Sequence, residues 1–271
     1  MREQFSRTAL LLGWENMEKL KSSRVAVFGL GGVGGHCAEA LCRAGIGALD
    51  LFDADIVDIT NLNRQIIATH KTIGRDKVDV MRERLLEINP EAIIETYKLF
   101  YLPEVADEVL LTPYDYIVDA IDTIAAKIEL VCRATALGVP VISSMGAANK
   151  LDPTAFEVLD IYDTSVCPIA RIMRNELRKR GVGALKTVCS KETPIKPLTP
   201  FVTVVQHDAG VSPTTRQSNP DVMPSPKEHC QYRSAPRRIS DNRQLPASNS
   251  FVPPIAGLII ASEVVKDLLA L

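Results

Sequence analysis

Gly29-Leu30-Gly31-Gly32-Val33-Gly34 follows a short apolar run, residues 24–28, and opens an apolar helical pattern. A glycine turn between a strand and a helix presents free backbone N–H groups to an anion. Gly29 permits the tight turn, Gly31 lets backbone approach a phosphate, and Gly34 lets helix and strand pack closely. Asp53 ends the next apolar run and is placed to accept hydrogen bonds from ribose hydroxyls. Taken alone, this fingerprint favours NAD.

The following residues change that reading. Thr60-Asn61-Leu62-Asn63-Arg64-Gln65 comes soon after the second strand, and Lys77 opens a later helix. Hydride transfer has little use for an Arg and a Lys beside the phosphates. Adenylation needs them, because negative charge builds on the α-phosphate and on departing pyrophosphate. Guanidinium and ammonium groups in a water-poor cleft stabilise that charge, and Asn side chains bond phosphate oxygens without adding any. The alternative is that Arg64 and Lys77 are solvated helix-surface cations. Asp119 and Asp122 sit at the C-terminal end of another predicted strand, where α/β folds place ligands. Asp122 is the better placed to hold Mg²⁺, which prefers one or two carboxylates plus phosphate oxygens; Asp119 is equally readable as a strand cap.

These residues need elements to hold them. The pattern predicts one or two short amphipathic helices over 6–21, then strands at 24–28, 48–52, 93–98, 116–119 and 139–143. Helices over 33–44, 77–88 and 125–137 lie between them. Strands alternating with helices imply right-handed βαβ units: a Rossmann-like α/β fold with a twisted, mostly parallel sheet and helices on both faces. After Met145 the pattern changes to an antiparallel extension, with strand candidates at 156–161, around Thr187-Val188-Cys189 and at 202–205, and a basic helix over 168–180. Residues 206–249 are polar and read as a long flexible basic loop. A last apolar-faced helix, 254–269, is expected to dock back on the sheet. We expect a nucleotide-binding region, 1–150, and an extension, 151–271, within one continuous domain.

Of the chain's 271 residues, 46% are hydrophobic and 24% charged, as in an ordinary globular protein. No long apolar stretch predicts a membrane span, and the N-terminus lacks a secretion signal, so a cytoplasmic protein is expected. Six scattered cysteines without a Cys-x-x-Cys pair argue against a disulfide scaffold and against zinc. Cys37, Cys42 and Cys132 read as core residues. Cys189 and Cys230 have basic neighbours, yet Cys189 fits a short strand and Cys230 an incidental surface thiol. The net charge is −2, but residues 164–250 carry 14 Lys/Arg against 6 Asp/Glu, an excess of 8. Such asymmetry marks a polyanion-binding face. Arg171, Arg174, Arg178, Lys179 and Arg180 lie on one predicted helix, and Lys227, Arg233, Arg237, Arg238 and Arg243 lie in the loop, with Tyr232 available to stack.

The glycine loop, Asp53, Thr-Asn-x-Asn-Arg-Gln, Lys77 and Asp122 together resemble the nucleotide signature of the ubiquitin-activating (ThiF/MoeB-like) superfamily, over roughly residues 5–160. That resemblance implies that Gly32, Asp53, Thr60, Asn61, Arg64, Lys77, Asp122 and Thr123 contact ATP or its magnesium. It also implies a homodimer, in which Arg7 reaches into the partner subunit's ATP site. Asp119-Ala-Ile-Asp122 with Lys127, Ser144 to Thr154, Ser190-Lys-Glu-Thr-Pro194 and Phe251 to Gly257 are most similar to the tRNA threonylcarbamoyladenosine dehydratases (TcdA/CsdL family). Membership there implies ATP-driven activation of a carboxylate on tRNA followed by ring closure, with the basic segment holding RNA. A sulfur-transfer protein stands open as a further partner. Two other readings are an adenylyltransferase for a ubiquitin-like sulfur carrier, and an NAD-dependent dehydrogenase or non-catalytic nucleotide-binding regulator. The missing Cys-x-x-Cys pairs weigh against carrier activation, since its enzymes usually hold zinc with two of them.

Overall fold

Apolar runs of four or five residues cannot bury themselves as isolated strands; seven of them share one sheet. The computed structural model describes residues 3–198 and 246–271. In chain order these form α1 (Ser6–Leu12), α2 (Trp14–Ser22), β1 (Arg24–Phe28), α3 (Gly34–Ala44), β2 (Ala48–Phe52) and α4 (Lys77–Ile88). There follow β3 (Ile93–Tyr97), β4 (Tyr116–Asp119), α5 (Ile124–Leu137), β5 (Val141–Ser144), β6 (Phe156–Asp160), α6 (Pro168–Lys179), β7 (Lys186–Ser190) and α7 (Val252–Leu269). The strand order is β3-β2-β1-β4-β5-β7-β6, parallel throughout except that β6 runs antiparallel to β7. The mostly parallel sheet and its antiparallel extension agree with the sequence pattern.

Alternation along the strands sends successive side chains to opposite faces. Val25, Val27, Leu49, Leu51 and Val118 meet α3, α4 and α7 in one core. Ala26, Phe28, Phe52 and Ile117 meet α5 in a second. A third core joins α5 to α6 and β7. Cys37 and Cys42 are buried in the first core, and burial pushes the Cys42 thiol up to about 11.

Two devices fix the ends of the strands beneath the glycine turn. Phe28, Phe52 and Tyr97 are paired in register as the last residues of β1, β2 and β3. Their rings stack, with centroids 4.2 and 4.4 Å apart and planes within 7°. Offset aromatic pairs of this kind stabilise by about 1 kcal/mol beyond the area they bury. The ladder sets Gly29 and Asp53 level, and the sheet hydrogen bonds continue into them: Gly29 N–H donates to Phe52 O (2.8 Å) and Asp53 N–H to Tyr97 O (3.2 Å).

α7 starts at Val252, two residues earlier than the sequence pattern predicts. Pro253 and Pro254 fit its first turn because a helix leaves those N–H positions unpaired in any case. Residues 246–249, read as part of the flexible loop, are held by hydrogen bonds to Asn63, Asn149 and Lys150. The strand candidate at 202–205, Cys230 and the loop residues Lys227, Tyr232, Arg233, Arg237, Arg238 and Arg243 lie outside the described residues. No described helix is long and apolar enough to cross a membrane.

Candidate nucleotide site

The strand order reverses between β1 and β4, and at such a switch point the loops leaving adjacent strands diverge and open a crevice. The glycine turn leaves β1 there. Gly29 has φ +89°, and a Cβ on it would stand 2.6 Å from Ala120 O, so only glycine passes beside the loop after β4. A Cβ on Gly34 would fall 1.8 Å from Gly29 O, which is how closely α3 begins on the turn. Gly31 faces open space, as a residue meant to meet a ligand must. A Cβ on Gly32 would meet Pro253 at 3.1 Å and the Arg64 Cγ at 3.2 Å, so α7 and the Arg64 stem close that side.

Asp53 lies just past β2 and is almost wholly buried. It accepts hydrogen bonds from Leu30 N–H at 2.7 Å and Asp55 N–H at 2.8 Å. Burial raises its pKa above the ordinary carboxylate range; the Lys77 charge and the two N–H bonds oppose the rise. Lys77, first residue of α4 and also buried, places Nζ 2.9 Å from Asp55 and 3.8 Å from Asp53. It is therefore not a solvated surface cation. Asp55 escaped the sequence reading, although its spacing of two from Asp53 puts both carboxylates on one turn.

Residues 58–64 form a tight turn that the sequence pattern did not resolve. Asp58 Oδ1 accepts from Thr60 N–H (2.8 Å) and from the Thr60 hydroxyl (2.6 Å), and Asn61 Oδ1 accepts from Asp58 N–H (3.1 Å). This is a capping box, readable in principle from Asp-x-x-Asn. Thr60 and Asn61, expected to contact nucleotide, place these groups inside the turn. The turn presents Asn63 and Arg64. Arg64 Nη1 donates to Thr60 O (3.0 Å) and to Asn63 Oδ1 (2.9 Å), and it makes no ion pair among the described residues. Burial lowers its pKa. A half-buried guanidinium with only neutral partners is unusual, since buried charge costs free energy until an opposite charge arrives. His36, on the first turn of α3, contacts Arg64 O at 3.3 Å, and burial holds its pKa down.

The loop after β4 completes the crevice. Asp119 is fully buried rather than a simple cap: Ser143 Oγ donates to it at 2.5 Å and Lys127 Nζ lies 3.0 Å away. Lys127 also donates to Ile121 O at 3.1 Å, fixing the turn that carries Asp122. Asp122 is exposed and accepts from Thr123 Oγ1 at 3.2 Å. One exposed carboxylate at the edge of a phosphate crevice suits Mg²⁺, whose remaining ligands come from phosphate and water.

Two sets of predicted residues lie elsewhere. Arg7 sits exposed on α1. Residues beside it pack at the far end of the sheet: Phe5 against Gly45, which ends α3, and Gln4 on Asn89, which ends α4. Both helices begin at the crevice and run away from it, so Arg7 does not join the site of its own chain. The basic residues of α6 are not one outward stripe. Arg174 turns inward to Thr164 O at 2.7 Å, because its position borders buried Met173 and Leu177. Arg178 lies 5.1 Å over the Tyr162 ring, while Lys179 and Arg180 pair with Glu176 at 2.8 and 2.6 Å. Arg180 is the residue after α6, and Arg171 is exposed on it. Cys189 is buried and its thiol is held protonated by the Cys167 contact and by burial. Cys167, which the sequence reading passed over, caps α6, and its contact with the Cys189 thiol outweighs burial to lower its pKa.

Comparison with known proteins places these features in a family. The ThiF family model matches residues 5–270. The chain is 41% identical over 270 residues to the tRNA threonylcarbamoyladenosine dehydratase of Bacillus subtilis (strain 168), covering 99% of this chain and 96% of that one. Its 34% identity to the molybdopterin-synthase adenylyltransferase of Escherichia coli (strain K12) extends over 151 residues, 55% of this chain and 59% of the other. The crystal structure of E. coli tRNA N6-threonylcarbamoyladenosine dehydratase in complex with ATP aligns with a TM-score of 0.78 at 27% identity, over 99% of this chain and 95% of that chain. The chain belongs to the ThiF family and, within it, to the tRNA threonylcarbamoyladenosine dehydratases.

Proposed function

We propose that the protein uses ATP to dehydrate the threonylcarbamoyl group on a tRNA adenosine, closing it into a ring. The observation that carries the nucleotide part is Arg64: a half-buried guanidinium with neutral partners, beside an open glycine turn. The nucleic-acid part rests on the relative from Bacillus subtilis, which matches along nearly its whole length, whereas the likeness to the molybdopterin-synthase adenylyltransferase covers 55% of this chain.

The chemistry divides among the residues as follows. N–H groups of Gly29 to Gly34 and the start of α3 receive the phosphates. Asp53 is placed for the ribose, with Thr60, Asn61, Asn63 and Thr123 lining the approach. The substrate carboxylate attacks the α-phosphorus, an acyl–phosphate bond forms, and the bond to pyrophosphate breaks. Arg64 and Lys77 stabilise the charge that develops on both sides of that exchange. A nitrogen of the same substrate then attacks the activated carbonyl, AMP leaves with the carboxyl oxygen, and a proton is released. The net change is loss of one water. Because nucleophile and acyl group share a molecule, holding the substrate still does much of the second step. Mg²⁺ held by Asp122 would neutralise phosphate charge.

We further propose a cytoplasmic homodimer. Leu10 and Leu11 on α1 are 89% and 83% exposed, and Trp14 is 48% exposed beside them, an apolar face that a second copy would cover. Arg7 lies on that helix, away from its own crevice. Arg171, Arg174, Arg178, Lys179, Arg180, Arg237 and Arg238 remain the proposed RNA contacts, with Arg174 also tied to Thr164.

The test is mass spectrometry of tRNA nucleosides after incubation of threonylcarbamoyladenosine-bearing tRNA with protein, ATP and Mg²⁺. Loss of one water from the modified nucleoside is expected. ATP turnover raised by a carrier protein ending in Gly-Gly, but unmoved by the modified tRNA, would overturn the assignment.

A further inference from the structure

Ile195 and Ala247, far apart in the sequence, are both tied to one residue, Asn149. Ile195 N–H donates to Asn149 O at 2.7 Å. Asn149 N–H donates to Ala247 O at 2.8 Å, and Asn149 Oδ1 accepts from Ala247 N–H at 2.7 Å. Asn149 adopts φ +59°, a left-handed conformation that asparagine tolerates better than most residues. Its neighbour continues the clasp, with Asn249 Nδ2 donating to Lys150 O at 2.8 Å.

The segment beginning at Ala247 reaches beyond that clasp. Asn63 Nδ2 donates to Ser248 O at 3.1 Å, which leaves Asn63 Oδ1 facing the Arg64 guanidinium at 2.9 Å. Asn249 Oδ1 accepts from Val252 N–H at 2.8 Å, fixing the first turn of α7, and Pro253 of that turn closes on Gly32. A continuous path therefore runs from Asn149 through Ala247 and Ser248 to Asn63 and Arg64, with a branch through α7 to the glycine turn.

We infer that Asn149 is a positioning residue for the nucleotide site: by holding Ala247 it orients the Asn63 amide, and with it the Arg64 guanidinium, toward the phosphates. The inference rests on reading the glycine turn and Arg64 as the ATP site. A residue that merely tied Ile195 to Ala247 would change stability alone; this one also sets nucleotide affinity.

Asn149→Gly keeps the left-handed backbone and deletes the side-chain acceptor, whereas Asn149→Asp keeps an acceptor oxygen. The measurement is ATP–Mg²⁺ affinity of the intact chain by calorimetry without RNA, beside kcat at saturating ATP. Losing one hydrogen bond that orients a charged group predicts about a tenfold weaker ATP affinity in Asn149→Gly with kcat lowered by a similar factor, and recovery of both to within about threefold in Asn149→Asp. Wild-type affinity in Asn149→Gly, whatever its melting temperature, would overturn the inference, as would an Asn149→Asp variant no better than glycine. Arg64→Ala separates the two layers. If it binds ATP as the wild type does, the site reading fails and the inference with it; if it is weak while Asn149→Gly is not, only the inference fails.

Discussion

Replacing Lys77 by Met removes a buried charge while keeping a long apolar stem. Lys77 Nζ lies 3.8 Å from the buried Asp53 carboxylate and 2.9 Å from the half-exposed Asp55. With an effective dielectric of about 20, the Lys77–Asp53 attraction is about 4 kcal/mol, and the screened Asp55 pair adds about 0.5 kcal/mol. Asp53 keeps its bonds from Leu30 and Asp55 N–H, so the net loss should be smaller, about 2–3 kcal/mol. For a chain of this size that is a melting temperature lower by about 4–12 °C. The pH dependence has a definite sign. Burial already raises the Asp53 pKa and Lys77 opposes it, so without Lys77 the folded-state pKa climbs further. A carboxyl whose folded pKa lies above its unfolded value gives stability that is full below the unfolded pKa and lost as pH rises through the folded one. The Lys77→Met deficit should therefore narrow on acidification from neutral pH, and Lys77→Met with Asp53→Asn should recover most of it. Activity should not recover, because the charge also acts on the phosphates: kcat should fall by about 10²–10³ in both variants. Denaturant melts across pH and AMP release under saturating ATP measure these quantities. A single variant as stable as the wild type at neutral pH, or one turning over within about threefold of it, would refute the reasoning.

Other perturbations test neighbouring parts. Gly257 on α7 lies so close to α3 that a Cβ would stand 2.3 Å from Val33 O, so Gly257→Ala should cost about 1–3 kcal/mol by thermal melt and weaken ATP binding through the displaced glycine turn. Mixing inactive Arg7→Ala with inactive Asp122→Ala should restore partial activity through heterodimers; none, despite demonstrated subunit exchange, would exclude an arginine acting across the dimer. Burial alone would raise the Glu39 pKa, but hydrogen bonds from Arg84 and Arg43 outweigh it and hold the pKa low. Glu39 thus contributes stability above its unfolded pKa that is lost as pH falls through the folded one, and Glu39→Gln should flatten the acid limb of a stability–pH curve.

Much of the frame was legible because its signals are local. Lys77 to Ile88 is bounded in the sequence by a polar approach and by Asn89-Pro90, and the helix occupies those residues. The glycine turn declares itself because only glycine fits against Ala120 O and Gly29 O. What escaped depends on contacts across sequence distance or on competition within a turn. Asn61 looks like a phosphate ligand by type, and its type alone does not show that Asp58 N–H takes its side-chain oxygen. Arg174 looks like part of a basic face, yet Thr164 lies ten residues back and within reach of it. Nothing near Asn149 in the sequence announces Ala247.

The charges bear on the proposal that a second chain completes the site. Asp53, Asp55 and Asp122 bring three negative charges to the crevice, against two positive ones from Arg64 and Lys77. Lys77 is committed to the two aspartates that flank it, so its positive charge is largely cancelled before any nucleotide arrives. Lys77 thus meets the phosphates while paired with two aspartates, and Arg64 does so without an ion pair among the described residues. A triphosphate bringing several further negative charges into a poorly solvated crevice needs more positive charge than one arginine provides. Under the proposed function, a magnesium ion at the exposed Asp122 and an arginine from a second copy would supply the further positive charge. The same shortage gives the proposed clasp at Asn149 its significance: where Arg64 is a cation without an ion pair among the described residues, its orientation through Asn63 is not left to solvent.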